Sequence, residues 1–357
     1  MTQPYPELGF MILGGHVHDP RPAISELKTG ENLGLGSVWI SERPGTKDIG
    51  ALCGAAVGAA PNLEVGTGLI SNLQIRNPLT VASFASTMAQ LTDNRFILGV
   101  GHGQNRLSDM TGAPHSTMPL IGRYIETLRS LWRGETVTAS HDGWTLNNAA
   151  LGLSLDTLPR VFMGAVGDKT LAWAGRHADG VILFSCLNEQ AVAHSVSIVR
   201  KAAEEAGRDP ASVEIWGVAV AACEVDEEKF LNYIVRRMNT YFMLPMIDRL
   251  VKVNGWDTEL ANKIKTEVVE QAKSSQGALG DEGVSREIDE LRRVRDLYPN
   301  EWLESCNAVG EADSACSYIR SLFDAGADKV LLHGSPPSDL NPLIHAWPQH
   351  RPSSAHQ

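Results

Sequence analysis

Short apolar runs, each closed by glycine or a small polar residue, alternate along this chain with longer amphipathic stretches. The runs at 8–13, 37–40, 63–67, 96–100, 160–163, 180–184, 213–222 and 329–333 predict eight strands. They are nearly continuous in apolar character rather than alternating, the pattern of strands covered on both faces, as in a parallel sheet. Between them, apolar residues recur at three- and four-residue spacing in 23–33, 48–60, 78–92, 120–133, 169–177, 189–207 and 310–325, which predicts helices. This beat predicts an α/β fold, a single (β/α)8 TIM barrel. A doubly wound sheet fits less well, because the nearest approach to a dinucleotide fingerprint, Gly99-Val100-Gly101-His102-Gly103-Gln104, breaks at its last position.

Two segments interrupt the beat. Residues 134–158 carry Gly, Asp and Asn around Trp144 and predict a hairpin or loop. Residues 225–306 predict a helical insertion between the seventh and eighth strands, charged at 263–273 and 286–296 and broken by a Ser/Gly-rich stretch at 274–283. Its aromatic start, with Tyr241, Phe242, Met243 and Met246, reads equally as a cover for the barrel mouth or as a face for a second copy of the chain. The expected organisation is one domain over 1–347 and a polar, disordered tail over 348–357.

A chain of 357 residues, 43% hydrophobic, buries enough apolar surface to fold without disulfides or a structural metal. The net charge of −11 argues against a nucleic-acid or anionic-membrane surface, while leaving room for a local anion site. No apolar run reaches the roughly 18 residues of a membrane span. Residues 1–8 show no basic stretch leading into an apolar core, so no secretory signal is expected. The five cysteines have no metal-ligand or paired spacing, which suits buried thiols in the cytoplasm and no zinc.

In a parallel barrel the C-terminal strand ends build the site. Those ends supply His16 after strand one, Glu42 after strand two, and Gly68, Leu69, Ser71 and Asn72 after strand three. They continue with His102, Gln104 and Asn105 after strand four, and Gly164, Ala165, Val166 and Gly167 after strand five. Glycine at a strand end admits a flat ligand close to the backbone. The Gly164–Gly167 turn leads into a helix N-terminus, which suits a phosphate; an ordinary tight turn is the plain alternative. His102 lies between two glycines and is expected to be exposed, and with His16 it is a candidate proton donor; Glu42, the third catalytic candidate, reads with Arg43 either as orienting substrate or as a rim salt bridge. No nucleophile elbow or Ser-His-Asp order is present. A mouth rich in Gly, Ser, Asn and Gln and poor in strong acids and bases suits a cofactor that carries the reaction.

The ordered segments Ser37-Val38-Trp39-Ile40-Ser41-Glu42-Arg43, Gly66-Thr67-Gly68, Arg76-Asn77-Pro78 and Arg95-Phe96-Ile97-Leu98-Gly99-Val100-Gly101 resemble the bacterial luciferase-like oxidoreductases. So do Gly164-Ala165-Val166-Gly167, Leu171-Ala172-Trp173-Ala174-Gly175-Arg176 and Ala178-Asp179-Gly180-Val181. The chain looks most like the actinobacterial branch that uses the deazaflavin coenzyme F420. The resemblance implies a non-proline cis peptide at Gly68-Leu69 against the coenzyme ring, Ser71 at its polar edge, ring or ribityl contacts from His102, Gln104 and Asn105, and a phosphate at the Ala165–Gly167 turn. It further implies hydride transfer between the deazaflavin and a small, apolar organic substrate, and a homodimer. Where deazaflavin-dependent sugar and alcohol dehydrogenases carry a histidine and a glutamate, this sequence has Arg43 and Gln104, which argues against oxidation by a histidine base and leaves the direction of hydride transfer open, with reduction at least as well supported. An FMN-dependent monooxygenase and a cofactor-free binding member of the fold are the alternatives.

Overall fold

A computed structural model describes residues 4–14, 17, 19–274 and 287–352. Among them run eleven strands: β1 (Tyr5–Met11), β2 (Leu35–Ile40), β3 (Glu64–Thr67), β4 (Phe96–Val100), β5 (Val137–His141), β6 (Trp144–Ala149), β7 (Arg160–Ala165), β8 (Gly180–Ser185), β9 (Glu214–Cys223), β10 (Ala308–Gly310) and β11 (Lys329–His333). Eight of them, each joined to the next through helices, form a (β/α)8 TIM barrel. The three-residue β10 adds to the edge of β9, and β5–β6 is a separate antiparallel hairpin.

The chain packs as two compact units. The first comprises Met1–Pro6, Leu35–Ile182 and Ile198–Glu214, and its strands run in the order β2-β3-β4-β7-β8. The register sets Trp39 beside Gly66 and Gly66 beside Ile97. A Cβ at Gly66 would lie 2.5 Å from the Trp39 ring, so that glycine is what lets the buried indole lie flat on β3. The helices start where short polar side chains close their first turns. Asp48 accepts from Ala51 N–H ahead of Ile49–Ala59, and Asn77 accepts from Leu79 N–H ahead of Pro78–Leu91, whose proline occupies the first turn. The hairpin turns at Gly143 (φ +92), and Trp144 is buried edge-on against Tyr124 at 5.9 Å.

The second unit comprises Glu7–Gly34, Leu183–Ser197 and Ile215–Gln357, with strand order β10-β9-β11-β1. Leu331 pairs with Gly9 on one side and Val218 on the other. Phe10 fills the space over Gly30 of the helix Ala23–Asn32, where a Cβ would come within 2.1 Å of the ring. Between β9 and β10 lie the helices Glu227–Phe230, Arg236–Phe242, Ile247–Asn254, Thr258–Ser274, Ile288–Arg295 and Asn300–Glu304, with a π-helical turn at Leu231–Val235. Most of the expected Ser/Gly-rich break falls at 275–286, outside the described residues.

Several local expectations differ from the structure. Strand one ends at Met11, and Ile12–Gly14 turn rather than extend. A short helix, Asn105–Thr111, and β10 arise where neither was expected. Residues 348–352, placed with the disordered tail, are held down: a 3-10 turn spans Trp347–Gln349, and Arg351 ion-pairs with Glu7 at 2.7 Å. Residues 353–357 lie outside the described part.

Candidate functional site

The first unit collects most of the candidates at the C-terminal ends of β2, β3, β4 and β7. At the end of β3 the Thr67 hydroxyl donates to the Gly99 carbonyl at 2.8 Å, and Gly68 N–H donates to the Ile40 carbonyl at 2.8 Å. The chain turns through a cis Gly68-Leu69 peptide, at the place the resemblance implies. Ile70 then re-engages β4. Its N–H donates to the Gly99 carbonyl and its carbonyl accepts from Gly101 N–H, both at 2.9 Å.

The Leu69 side chain folds over three glycines. A Cβ at Gly164 would stand 2.2 Å from Leu69 Cδ1, one at Gly101 3.1 Å from the same atom, and one at Gly99 3.1 Å from Cδ2. Gly164 is therefore kept bare by Leu69 and Gly101 lies in tight contact with it, while Gly99 is held chiefly by the Thr67 carbonyl oxygen, 2.0 Å from its Cβ position. Gly68, Leu69 and Ser71 form a half-buried shelf beside these glycines.

Asn72 sits in the left-handed region at φ +51 with its side chain turned inward. Its Oδ1 accepts from Gln104 N–H, and its Nδ2 donates to the Gln104 carbonyl and to Ser108 Oγ, all at 2.8 Å. Gly103 (φ +78) makes this possible, since a Cβ there would lie 2.2 Å from Asn72 Oδ1. The Asn72 amide is thus occupied by the β4 loop and holds it in place. On that loop His102, Gln104 and Asn105 are exposed.

Glu42 is likewise turned into the protein, 6% exposed. One carboxylate oxygen accepts from Ser71 N–H at 2.8 Å, and the other forms a close ion pair with Arg76. Arg43 donates to the Glu42 carbonyl at 3.0 Å. Burial raises the Glu42 carboxyl above the usual carboxylate range, opposed by Arg76, the Ser71 N–H and Arg43. A group whose folded value is raised holds its proton to higher pH in the native state, so its contribution to stability is favourable in acid and is lost as pH rises through the folded value. Carboxyl-carbon NMR of glutamate-labelled protein should show one resonance titrating above the glutamate range and absent in Glu42→Gln. A full set of ordinary glutamate titrations would remove this account.

At the end of β7, Gly164 and Gly167 are half-buried and Ala165 and Val166 are buried. Gly167 is the N-cap of the helix Asp168–His177, and no side chain closes that first turn; its carbonyl accepts from Thr170 and Leu171 N–H. The turn carries the exposed carboxylate of Asp168. His16 lies outside the described residues, so the structure gives it no place. Reading the sequence missed Arg76 and Ser108, the partners of Glu42 and Asn72, because neither lies near its partner along the chain. Among the described residues no cluster of His, Cys, Asp and Glu could hold a metal ion, and the cysteines are buried and unpaired.

Comparison with known proteins follows the same lines. A family model described as luciferase-like monooxygenase matches residues 7–329. The chain is 23% identical over 310 residues to the 5,10-methylenetetrahydromethanopterin reductase of Methanolobus tindarius, covering 87% of this chain and 88% of that protein. It is 28% identical over 237 residues to the phthiodiolone/phenolphthiodiolone dimycocerosates ketoreductase of Mycobacterium tuberculosis H37Rv, a match spanning 63% of this chain and 61% of the ketoreductase. In structure it resembles the coenzyme F420-dependent tetrahydromethanopterin reductase of Methanopyrus kandleri, with a TM-score of 0.78, 18% identity, and coverage of 96% and 99% of the two chains.

Proposed function

The chain belongs to the luciferase-like monooxygenase family, and from that premise we propose that it is a coenzyme F420-dependent oxidoreductase that reduces an apolar organic substrate. The observation that carries this reading is the half-buried shelf Gly68–Ser71, backed by Gly99, Gly101 and Gly164 and flanked by the exposed donors of the β4 loop. A flat heterocycle fits such a shelf, and the helix start at Gly167, closed by no side chain, suits its phosphate. The relatives described as a reductase and a ketoreductase support reduction, and the F420-dependent structural neighbour supports the deazaflavin over FMN.

When bound, such a coenzyme supplies or accepts a hydride. The chain's own part is to bind and orient. Leu69 backs the ring, Ser71 meets its polar edge, and Gln104, Asn105 and His102 contact it from the β4 loop. Residues 164–167 hold the phosphate. Glu42 and Asn72 act one layer back, by fixing Ser71 and the β4 loop. The buried, unpaired cysteines suit a cytoplasmic enzyme, and a homodimer is the assembly this reading expects.

The test is a pair of titrations followed by fluorescence, one with coenzyme F420 and one with FMN. Saturable binding of F420 with FMN weaker by at least tenfold is expected. The opposite order would replace this reading by an oxygen-using flavoprotein, and binding of neither would leave a cofactor-free member of the fold.

A further inference from the structure

Within the second unit, two helices of the insertion leave between them a groove that none of the roles above uses. The helix Ile247–Asn254 stops where Gly255 takes the left-handed conformation at φ +65. Asp257 then opens the helix Thr258–Ser274 by accepting Leu260 N–H at 2.7 Å. The space that the two helices line together is about 380 Å3, a size that suits a small molecule. Its floor is apolar and buried. Ile247 and Val251, one turn apart, supply it from the first helix, and Ala261 supplies it from the second. The small side chain of Ala261 leaves the floor open where a larger one would fill it.

The rim is polar and unevenly charged. Asp248 and Lys252 stand one turn apart on the first helix, and Thr258, Asn262 and Lys265 share one face of the second. Asp248 Oδ1 pairs with Lys265 Nζ at 3.5 Å, an exposed contact of a kind that contributes little in water. Among the described residues Lys252 forms no ion pair, and the side chains of Thr258 and Asn262 make no hydrogen bond. The lining thus carries two cations to one anion, on a chain whose net charge is −11. A bare anion would gain nothing from the floor, and a neutral hydrocarbon would gain nothing from the lysines. A hydrocarbon chain that ends in an anion uses both.

We propose that this groove is a second ligand site, one that binds a medium-chain carboxylate. The chain lies over Ile247, Val251 and Ala261, and the carboxylate sits at the rim with Lys252 and Lys265. Thr258 and Asn262 donate to the oxygen lone pairs that the lysines leave open. Lys265 exchanges Asp248 for the ligand, one exposed ion pair for another, so Asp248 is a competitor placed within the site. Every residue invoked belongs to the second unit, and none has a part in the coenzyme shelf, so this site stands or falls independently of the reductase reading.

The test is calorimetric titration of the full chain with octanoate at low salt, beside butyrate and octyltrimethylammonium. Octanoate should bind saturably at one site, with butyrate weaker by about tenfold or more for its four missing methylenes. The cationic amphiphile should be weaker as well. Lys252→Gln should weaken octanoate by about two- to fivefold, the scale of an exposed ion pair, and Asp248→Asn should tighten it by about the same factor because Lys265 is released. Ala261→Leu should abolish binding by filling the floor, and thermal unfolding checks that each variant is folded. In methyl NMR of alanine-labelled protein, the resonance that Ala261→Leu removes should shift on adding octanoate. The absence of saturable binding, equal affinity for the cationic amphiphile, weaker binding in Asp248→Asn, or an Ala261 resonance that stays in place would each overturn the site. The two exposed variants carry the test should Ala261→Leu not fold.

Discussion

Gly99→Ala should cost stability and the candidate coenzyme site together, although it adds a single methyl group. The new Cβ would lie 2.0 Å from the Thr67 carbonyl oxygen, a backbone atom with no rotamer to move into. Overpacking typically costs about 1–3 kcal/mol, and a clash with backbone belongs at or above the upper end. Relief requires β3 and β4 to separate where the Gly99 carbonyl accepts from both the Thr67 hydroxyl and the Ile70 N–H. Those two bonds set the exit of the chain into Leu69 and Ser71. The expected result is a fall in melting temperature on the order of 6 °C or more, with F420 binding lost in whatever fraction stays folded. Gly54→Ala is the control. That glycine lies within the helix Ile49–Ala59 with nothing inside 4 Å of its Cβ position, so the change should stabilise by about 0.5–1 kcal/mol through helix propensity and a stiffer unfolded chain. Equal melting temperatures for the two variants would show that the packing over β4 is looser than described.

The contrast between these two glycines also shows what a sequence can and cannot disclose. Both stand among apolar residues in the sequence, and only the position of the Thr67 carbonyl makes one of them irreplaceable. The strands were readable because a buried parallel strand is a continuous apolar run cut off by glycine. β4 and β11 occupy the residues expected of them, 96–100 and 329–333. The helix Asn105–Thr111 was not readable, since its one buried residue is Ser108 and it has no apolar stripe to mark its period. The glycines after β3, β4 and β7 stood out as a ligand mouth, yet a large part of their cause is Leu69, whose inward fold depends on strands distant in sequence. Glu42 read as a catalytic candidate that orients substrate or pairs at the rim with Arg43, since a carboxylate at a strand end stands at the barrel mouth. Its partners Ser71 and Arg76 become neighbours only once β2 and β3 are paired. Polar residues at a barrel mouth thus divide into those that face the ligand and those that hold them, and burial makes the division.

Asn72→Asp tests that division at its most demanding point, with almost no change in shape. The acceptor for Gln104 N–H is kept, while the two bonds donated to the Gln104 carbonyl and Ser108 Oγ are lost. A carboxylate would then face a carbonyl oxygen in a site 1% exposed. Leaving a buried charge without a cation costs about 3–5 kcal/mol, and the carboxyl answers by holding its proton, which raises its folded pKa above the unfolded value of about 3.9. The native state then binds more protons than the unfolded one, so stability falls as pH rises through that window. The variant should lie closest to the unaltered protein near pH 4–5 and furthest from it at pH 8. Thermal unfolding at the two values checks the sign, and a pH-independent deficit would mean that the new carboxylate reaches water. Hydrogen exchange separates the local effect from the global one. The Gln104 amide should exchange faster in the variant at pH 8, while amides in β11, which belongs to the other unit, stay protected. Loss of F420 binding in step with that exchange would mark Asn72 as the residue that holds Gln104 and Asn105 in position for the coenzyme, without touching it.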